Sequence, residues 1–447
     1  MTRSRISESF VSRLLSGARS KNSSLAGNWP MAIIVVLMML ASSGLAAAQQ
    51  EVVIYGFEAG ADGSNPVAGL ITDGKGHLFG TTSDGGGNPA CGRTSRGITG
   101  CGTVFELGPP LVGGHATETM LYVFPGGSSG SFPSTSLVFD ASGNLYGVTS
   151  GGGTSDVGVA FELSPPQGTG PWTESVLYNF TPSAVGSSSF VIDAQGNLYG
   201  ESDGYPNGDG SVYELSPPAV QGGAWTYSQL LAFDGIHGLD PSGGLVSDAQ
   251  GNLYGTTAGG GTGNGGGCGG DPCGLVFELV KPASAGAWTE KVLYNFTGLN
   301  GDGGIPQAGL IIHGGVLYGT TAYGGNDLGD GTVFSLTPPK PGKGWTEATL
   351  FQFDRNIGGF RPDSGVVFDK AGNLYGTNFF GTMGGGQLFK LSPAGQGDPW
   401  TETVTYNFTC AADGCVPEGN LISIGNWLYG TALGGKRGDG VVYKFSE

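Results

Sequence analysis

The chain has 447 residues, a formal net charge of −17, only 12% charged residues, and 89 glycines. So acidic a surface lacks the clustered Lys and Arg that nucleic acids and anionic polysaccharides require, so neither is an expected partner. Gly and Pro together make up about a quarter of the residues, a composition typical of disordered chains unless it is periodic.

Residues 1–48 read as a secretory signal with a long leader. Arg3, Arg5, Arg13, Arg19 and Lys21 precede an apolar run from Met31 to Leu40, and Ala46, Ala47 and Ala48 supply a small-residue cleavage site before Gln49. A retained anchor is the rival reading, but Ser42, Ser43 and Gly44 interrupt a stretch barely long enough to span a bilayer. Cleavage leaves 35 acidic against 14 basic residues, a formal charge of −21, with no membrane span expected in the mature chain.

Past the leader the composition becomes periodic. Leu78-Phe-Gly-Thr-Thr returns as variants at Leu145, Leu198, Leu253, Leu317, Leu374 and Leu428, placing glycines at Gly80, Gly147, Gly200, Gly255, Gly319, Gly376 and Gly430. Successive spacings are 67, 53, 55, 64, 57 and 54 residues, the period of four-stranded β units. In the unit beginning at Gly309, the predicted strands are Gly309 to Ile312, Val316 to Thr321, Gly331 to Leu336 and Trp345 to Phe353. Turn-forming links such as Asp140 to Asn144, Asp193 to Asn197, Asp248 to Asn252 and Asp369 to Asn373 join the first two strands. In the fourth strand, period-two spacing places Trp288, Glu290, Val292, Tyr294 and Phe296 on one face, and likewise Trp400, Glu402, Val404, Tyr406 and Phe408.

Seven such units predict an all-β, seven-bladed β-propeller of four-stranded blades over residues 49–447. Glu51, Val53, Tyr55 and Phe57 repeat the fourth-strand pattern without preceding partners, whereas the chain stops after a third strand, Val441 to Glu447. Closure of the ring three plus one by the N-terminal strand follows, and it removes a free sheet edge.

The succession Gly251 to Thr257 and Gly102 to Leu107 resembles the bacterial GloVer tandem-repeat proteins, of the choice-of-anchor kind, across essentially all of residues 49–447. The resemblance implies a secreted or surface-attached repeat protein of undefined activity. Members carry C-terminal sorting anchors; this chain ends on a strand at Glu447, so free secretion is the expectation.

The six cysteines form three local pairs, Cys91 with Cys101, Cys268 with Cys273 and Cys410 with Cys415, which behind an export signal read as disulfides rather than a zinc site. The histidines do not converge along the repeat. His77, His115 and His313 belong to one face of the ring and His237 to the other, so no catalytic or metal-binding histidine set is expected. Glu106, Glu162, Glu214 and Glu278 share one strand position that becomes Ser335, Lys390 and Lys444 elsewhere, which separates them by blade geometry rather than pairing them across a glycosidic bond. Glu118, Glu174, Glu290, Glu347 and Glu402 read as solvated edge charge. Calcium is a minor expectation at Asp203 with Asp209 and Asp327 with Asp330; no other cofactor or metal is signalled. Arg437-Gly-Asp439 matches an adhesion tripeptide but aligns with Gly-Asp in the same loop of other units. The acceptor triplets at Asn179, Asn295 and Asn407 arise from the strand motif.

The expected protein is a secreted, monomeric, non-catalytic binding module for a glycan or protein ligand. The alternative is a carbohydrate-active enzyme, a glycoside hydrolase or lyase, with its site over the central channel. Second-to-third and fourth-to-first connections emerge on one face, which carries all six cysteines, His237 and the longest loops, Thr82 to Gly102 and Thr257 to Gly274. The ligand is expected there.

Overall fold

The structure is a computed structural model that describes residues 52–92, 99–109, 116–203, 208–220, 222–241, 243–263, 267–284, 286–340, 342–393 and 400–447. The expected signal segment, Glu51 and His115 lie outside these residues. Gln49–Glu447 forms one compact unit.

Its seven blades are four-stranded antiparallel sheets. Blade 1 contains Ile71–Thr72, Leu78–Thr82, Thr103–Leu107 and Glu118–Val123, from the innermost strand outward. Blades 2 to 7 begin with the innermost strands Val138–Phe139, Val191–Ile192, Val246–Ser247, Ile311–His313, Val367–Phe368 and Ile422–Ile424. In the last sheet, Val52–Gly56 pairs antiparallel with Val441–Ser446, so the outer strand of blade 7 comes from the N-terminal part of the chain. The Phe57 N–H also donates to the Gly440 carbonyl at 3.0 Å.

The repeated pentapeptide has a packing explanation. Each glycine lies directly opposite the aromatic residue of the third strand: Gly80 faces Phe105, Gly147 faces Phe161, Gly255 faces Phe277 and Gly376 faces Phe389. Tyr213 and Tyr443 take that place opposite Gly200 and Gly430. The rings lie across the glycines and are buried. Each hydrophobic cluster joins two successive blades; one unites Ile54 and Val442 of blade 7 with Leu78 and Phe105 of blade 1. The core is therefore a ring of seven shared interfaces, as a propeller requires.

The Asp-x-x-Gly-Asn-Leu-Tyr turn is a hydrogen-bond unit. One Asp248 oxygen accepts from the backbone N–H groups of Gln250 and Asn252, and the other accepts from the Asn252 amide and the Tyr254 hydroxyl, all at 2.8–3.1 Å. Asp140 and Asp193 bind their turns in the same way. A side chain that satisfies the turn and then holds the next strand's tyrosine specifies this hairpin strongly.

The fourth strands depart from the expected alternation. Val292 lies opposite Phe277, but Tyr294 lies opposite Val276, with Leu293 bulged between them. Val292 and Tyr294 therefore fall on opposite faces, because a bulge resets the two-residue period. Trp288 and Val292 pack toward blade 3, whereas Tyr294 and Phe296 pack toward blade 5. The same shift occurs at Thr405, between Val404 and Tyr406.

Packing against the neighbouring connection corrects the reading of the outer glutamates. Glu118, Glu174, Glu290 and Glu402 are half-buried, each with one carboxylate oxygen out of solvent and without a hydrogen-bond partner. Before the bulge, residues of their parity face the preceding blade's connection; Glu402, for example, lies against Gly358. Burial pushes Glu402 up to about 7, and Glu118 and Glu347 to about 7 with help from Asp62 and Asp302 respectively.

Candidate binding face around the central axis

Six of the seven fourth strands run into the next blade through a connection that ends in a strained residue and a proline; the connection from blade 2 to blade 3, which ends through Gly186 and Ser187, has neither there. Asn65, Phe132, Asp240, Ile305, Arg361 and Val416 all have φ between 53 and 60°, and each precedes proline. Such a conformation costs about 1–3 kcal/mol in a non-glycine residue. It persists because both backbone groups are tied. The Ile305 N–H donates to the Cys273 carbonyl of blade 4 at 2.8 Å, while its carbonyl accepts from Ala322 of its own blade at 3.1 Å. Asn65, Asp240, Arg361 and Val416 repeat both bonds. The following proline packs on the glycine that opens the preceding blade's third strand, as Pro133 does on Gly102 and Pro417 on Gly386.

Beyond the prolines the chain turns inward and forms a ring around the axis. Gly69, Ser136, Ser189, Gly244, Gly309, Gly365 and Asn420 hold equivalent places, and Gly69, Gly309 and Gly365 are small where the neighbouring backbone nearly touches them. A Cβ at Gly309 would lie 2.6 Å from the Gly243 carbonyl oxygen. Hydrogen bonds cross between blades here: Ser136 N–H to Ser189 Oγ at 3.0 Å, and Gly365 N–H to Asn420 Oδ1 at 2.7 Å. The threonines that follow five of the seven core glycines add to the ring. Thr256, Thr320 and Thr431 donate to the carbonyls of Ala308, Ser364 and Ala68 in the next blade.

The ring floors a polar bowl of about 160 Å³, whose walls include Ser134, Ser188, Gln307, Asp363 and Glu418. Burial raises the Asp363 carboxyl despite Arg361, whose Nε lies 3.1 Å away; burial and Asp363 together raise Glu418. Below the wall, Glu201 replaces the threonine of its column and is fully buried. One of its oxygens accepts from the Gly244 N–H at 2.9 Å, the other has no partner, and burial pushes the carboxyl up to about 7. Glu201, Asp363 and Glu418 went unnoticed in the sequence. Their signal was a departure from the repeat, a carboxylate where the remaining units hold an uncharged residue.

Two of the expected disulfides are formed, Cys91–Cys101 and Cys268–Cys273. They brace the bowl, because the Cys101 and Cys273 carbonyls receive the N–H groups of Phe132 and Ile305, just ahead of wall residues Ser134 and Gln307. The third expected bridge, between Cys410 and Cys415, is not formed in this structure, and Cys410 is an exposed thiol. Cys410 closes its own turn through the Gly414 carbonyl, whereas the Cys415 N–H is drawn to the Leu433 carbonyl in blade 7.

The described histidines stay apart. His77 Nδ1 bonds Asp73 at 2.8 Å, His313 stacks on Phe368, and exposed His237 pairs with Asp234 on the cysteine-bearing face. The third-strand glutamates serve their own blades, Glu278 through Lys291 and Tyr254, and Glu162 and Glu214 through Ser164 and Ser216. Of the residues considered for calcium, Asp330 is buried and paired with Arg355, while Asp203 and Asp209 flank residues outside the description. Among the described residues, no group of three or more His, Cys, Asp or Glu side chains could hold a metal ion. Asp439 of the Arg-Gly-Asp tripeptide is buried and Arg437 pairs with Glu58. The Asn179 and Asn295 side chains receive the Thr154 and Thr262 N–H groups, so that motif fixes the second-to-third loop.

A model of the Gloeobacter/Verrucomicrobia repeat matches residues 90–269 and 267–443. No curated protein matches the sequence. Among solved structures, a fungal alcohol oxidase of the AA5 family in complex with copper aligns at 15% identity and a TM-score of 0.51, over 90% of this chain and 76% of that one. A gluconolactonase from Xanthomonas campestris aligns at 11% identity and TM-score 0.40, over 90% and 92% of the two chains. A luciferin-regenerating enzyme aligns at 15% identity and TM-score 0.41, over 70% and 90%. At these identities the likeness concerns the fold alone. Among the described residues, no helix is long and apolar enough to cross a membrane.

Proposed function

The chain belongs to the Gloeobacter/Verrucomicrobia repeat family, and from that premise we propose that it is an exported, non-catalytic binding module whose ligand meets the cysteine-bearing face around the axis. The carrying observation is the bracing of the bowl. Its wall segments are fixed at both ends, by the strained residue bonded across two blades and by the cross-blade ring below. Walls ordered before binding lower the entropic cost of association. Residues 1–48 serve as the export signal in this reading, and the two local disulfides fit an oxidising compartment. Glycan arrays and capture of envelope proteins by the purified protein test it. Shortening the loops at 82–102 and 257–274 is expected to abolish the binding found while the propeller stays folded; unchanged affinity overturns the assignment of the face.

One observation favours a second reading, carbohydrate cleavage over the channel. Asp363 and Glu418 bring two carboxyls of raised pKa into one bowl, the raw material of acid–base catalysis on a glycosidic bond. Release of reducing sugar that disappears in Asp363→Asn decides for it.

A further inference from the structure

Blades 5 and 6 carry a cluster of stacked side chains that the repeat does not require. The Arg361 guanidinium lies 5.9 Å from the Tyr323 ring centroid and 5.1 Å from that of Phe379. Phe379 meets Phe380 edge to face at 4.8 Å, Phe380 stacks on Phe360 at 4.8 Å, and Arg355 caps Phe360 at 4.6 Å. Phe360 and Phe380 are also bridged by their backbones. The same bridge elsewhere joins Ser64 to Asp84, Leu239 to Gly259 and Gly304 to Tyr323, so two facing aromatics are peculiar to blade 6 among these. Structural need does not account for the pair, because the sister bridges close with at most one large side chain, such as Leu239 or Tyr323 opposite a glycine.

The charges around the cluster define what it can accept. Both guanidinium groups are neutralised in place, Arg355 by buried Asp330 and Arg361 by Asp363. Asp327, Asp354 and Glu418 add carboxylates nearby. Exposed apolar side chains surround the aromatics: Ile357 is 77% exposed, Met383 68%, Leu328 50% and Tyr323 39%. An aromatic and arginine centre with an apolar surround is the composition of a protein-binding hot spot, and the acidic margin sets the sign of the partner.

We infer that this patch binds a polypeptide segment that presents an apolar or aromatic anchor flanked by lysine or arginine. The inference rests on the binding-module reading and names its partner class. The test uses two synthetic peptides, Ac-GKWKLKG-NH2 and its counterpart with glutamate in place of every lysine, titrated against the full chain by fluorescence anisotropy at low and high salt. The lysine peptide is expected to bind and the glutamate peptide not to bind. The double variant Tyr323→Ser, Ile357→Ser is expected to weaken binding about tenfold or more, whereas Ile236→Ser, at an exposed apolar side chain between blades 3 and 4, leaves it unchanged. All three positions are exposed, and equal melting temperatures confirm that the variants fold. Absence of binding, preference for the glutamate peptide, or equal loss in both variants overturns the inference. So does binding of a neutral oligosaccharide that is lost in the double variant while the lysine peptide fails to bind. Peptide binding lost in Asp363→Asn, Glu418→Gln but kept in the double variant rejects this patch and leaves the axial face standing.

Discussion

The ring of Phe277 lies across Gly255 so closely that a Cβ at Gly255 would stand 2.5 Å from the ring's Cζ. The two residues are direct cross-strand partners, and the ring is fully buried between blades 3 and 4. Gly255→Ala is therefore expected to cost about 1–3 kcal/mol, the range for overpacking a well-filled core. Combining it with Phe277→Leu should recover part of that loss, because the methyl and the ring compete for one space. Urea denaturation of the two single variants and the double variant measures the coupling; strict additivity refutes the explanation of the repeated glycine.

Ile305 offers the opposite experiment. Its φ of 56° is unfavourable for a β-branched residue, and Asn65 fills the equivalent place in blade 1 with a residue that tolerates it. Ile305→Asn is expected to stabilise the protein by about 1 kcal/mol through relief of backbone strain. A lower denaturation midpoint would show that the half-buried isoleucine side chain outweighs the strain.

Turn Asp248 is held by four hydrogen bonds, two of them from backbone N–H groups. Asp248→Ala leaves those donors and Tyr254 unsatisfied and is expected to cost about 2–3 kcal/mol. Tyr254→Phe removes one bond and should cost about 1 kcal/mol. Equal effects would contradict the carboxylate's role as the organiser of the turn.

Stability should peak in mildly acidic solution. Burial raises Glu118, Glu347 and Glu402 from 4.5 to about 7, so between those values the folded chain binds more protons than the unfolded one and stability falls as the pH rises. Burial also opposes ionisation of Asp193, Asp248, Asp369 and Asp413, but their hydrogen bonds prevail and hold them below 3.8; that contribution is lost on further acidification. The melting temperature is expected to be higher at about pH 5 than at about pH 8. Glu402→Gln should raise the value at the higher pH and flatten the profile. A profile that rises steadily from pH 5 to 8 excludes this account.

Non-reducing peptide mapping is expected to return Cys91–Cys101 and Cys268–Cys273, with Cys410 recovered alkylated. Replacing Cys91 and Cys101 together by serine should cost about 2–3 kcal/mol, the loop-closure value for so short a span, and leave the propeller folded. A mapped Cys410–Cys415 bridge would restore the reading made from spacing alone.

Seven recurrences of one pentapeptide were enough to read the all-β class, the blade count and the four-strand unit, because each blade buries the same glycine under the same aromatic and so repeats the same local constraint. Local pairing likewise marked two disulfides, whose partners are only ten and five residues apart. Tertiary structure decided whatever depends on a neighbouring blade. The outer glutamates, read as solvated edge charge, are half-buried because their part of the fourth strand faces the preceding blade's connection, a contact no single unit contains. Glu201, Asp363 and Glu418 belong to different units, and they were legible only as isolated exceptions to the repeat. A ring brings residues 363 and 418 into one bowl and stacks Tyr323 with Arg361 and Phe379 from the next blade, by a curvature that no single unit encodes.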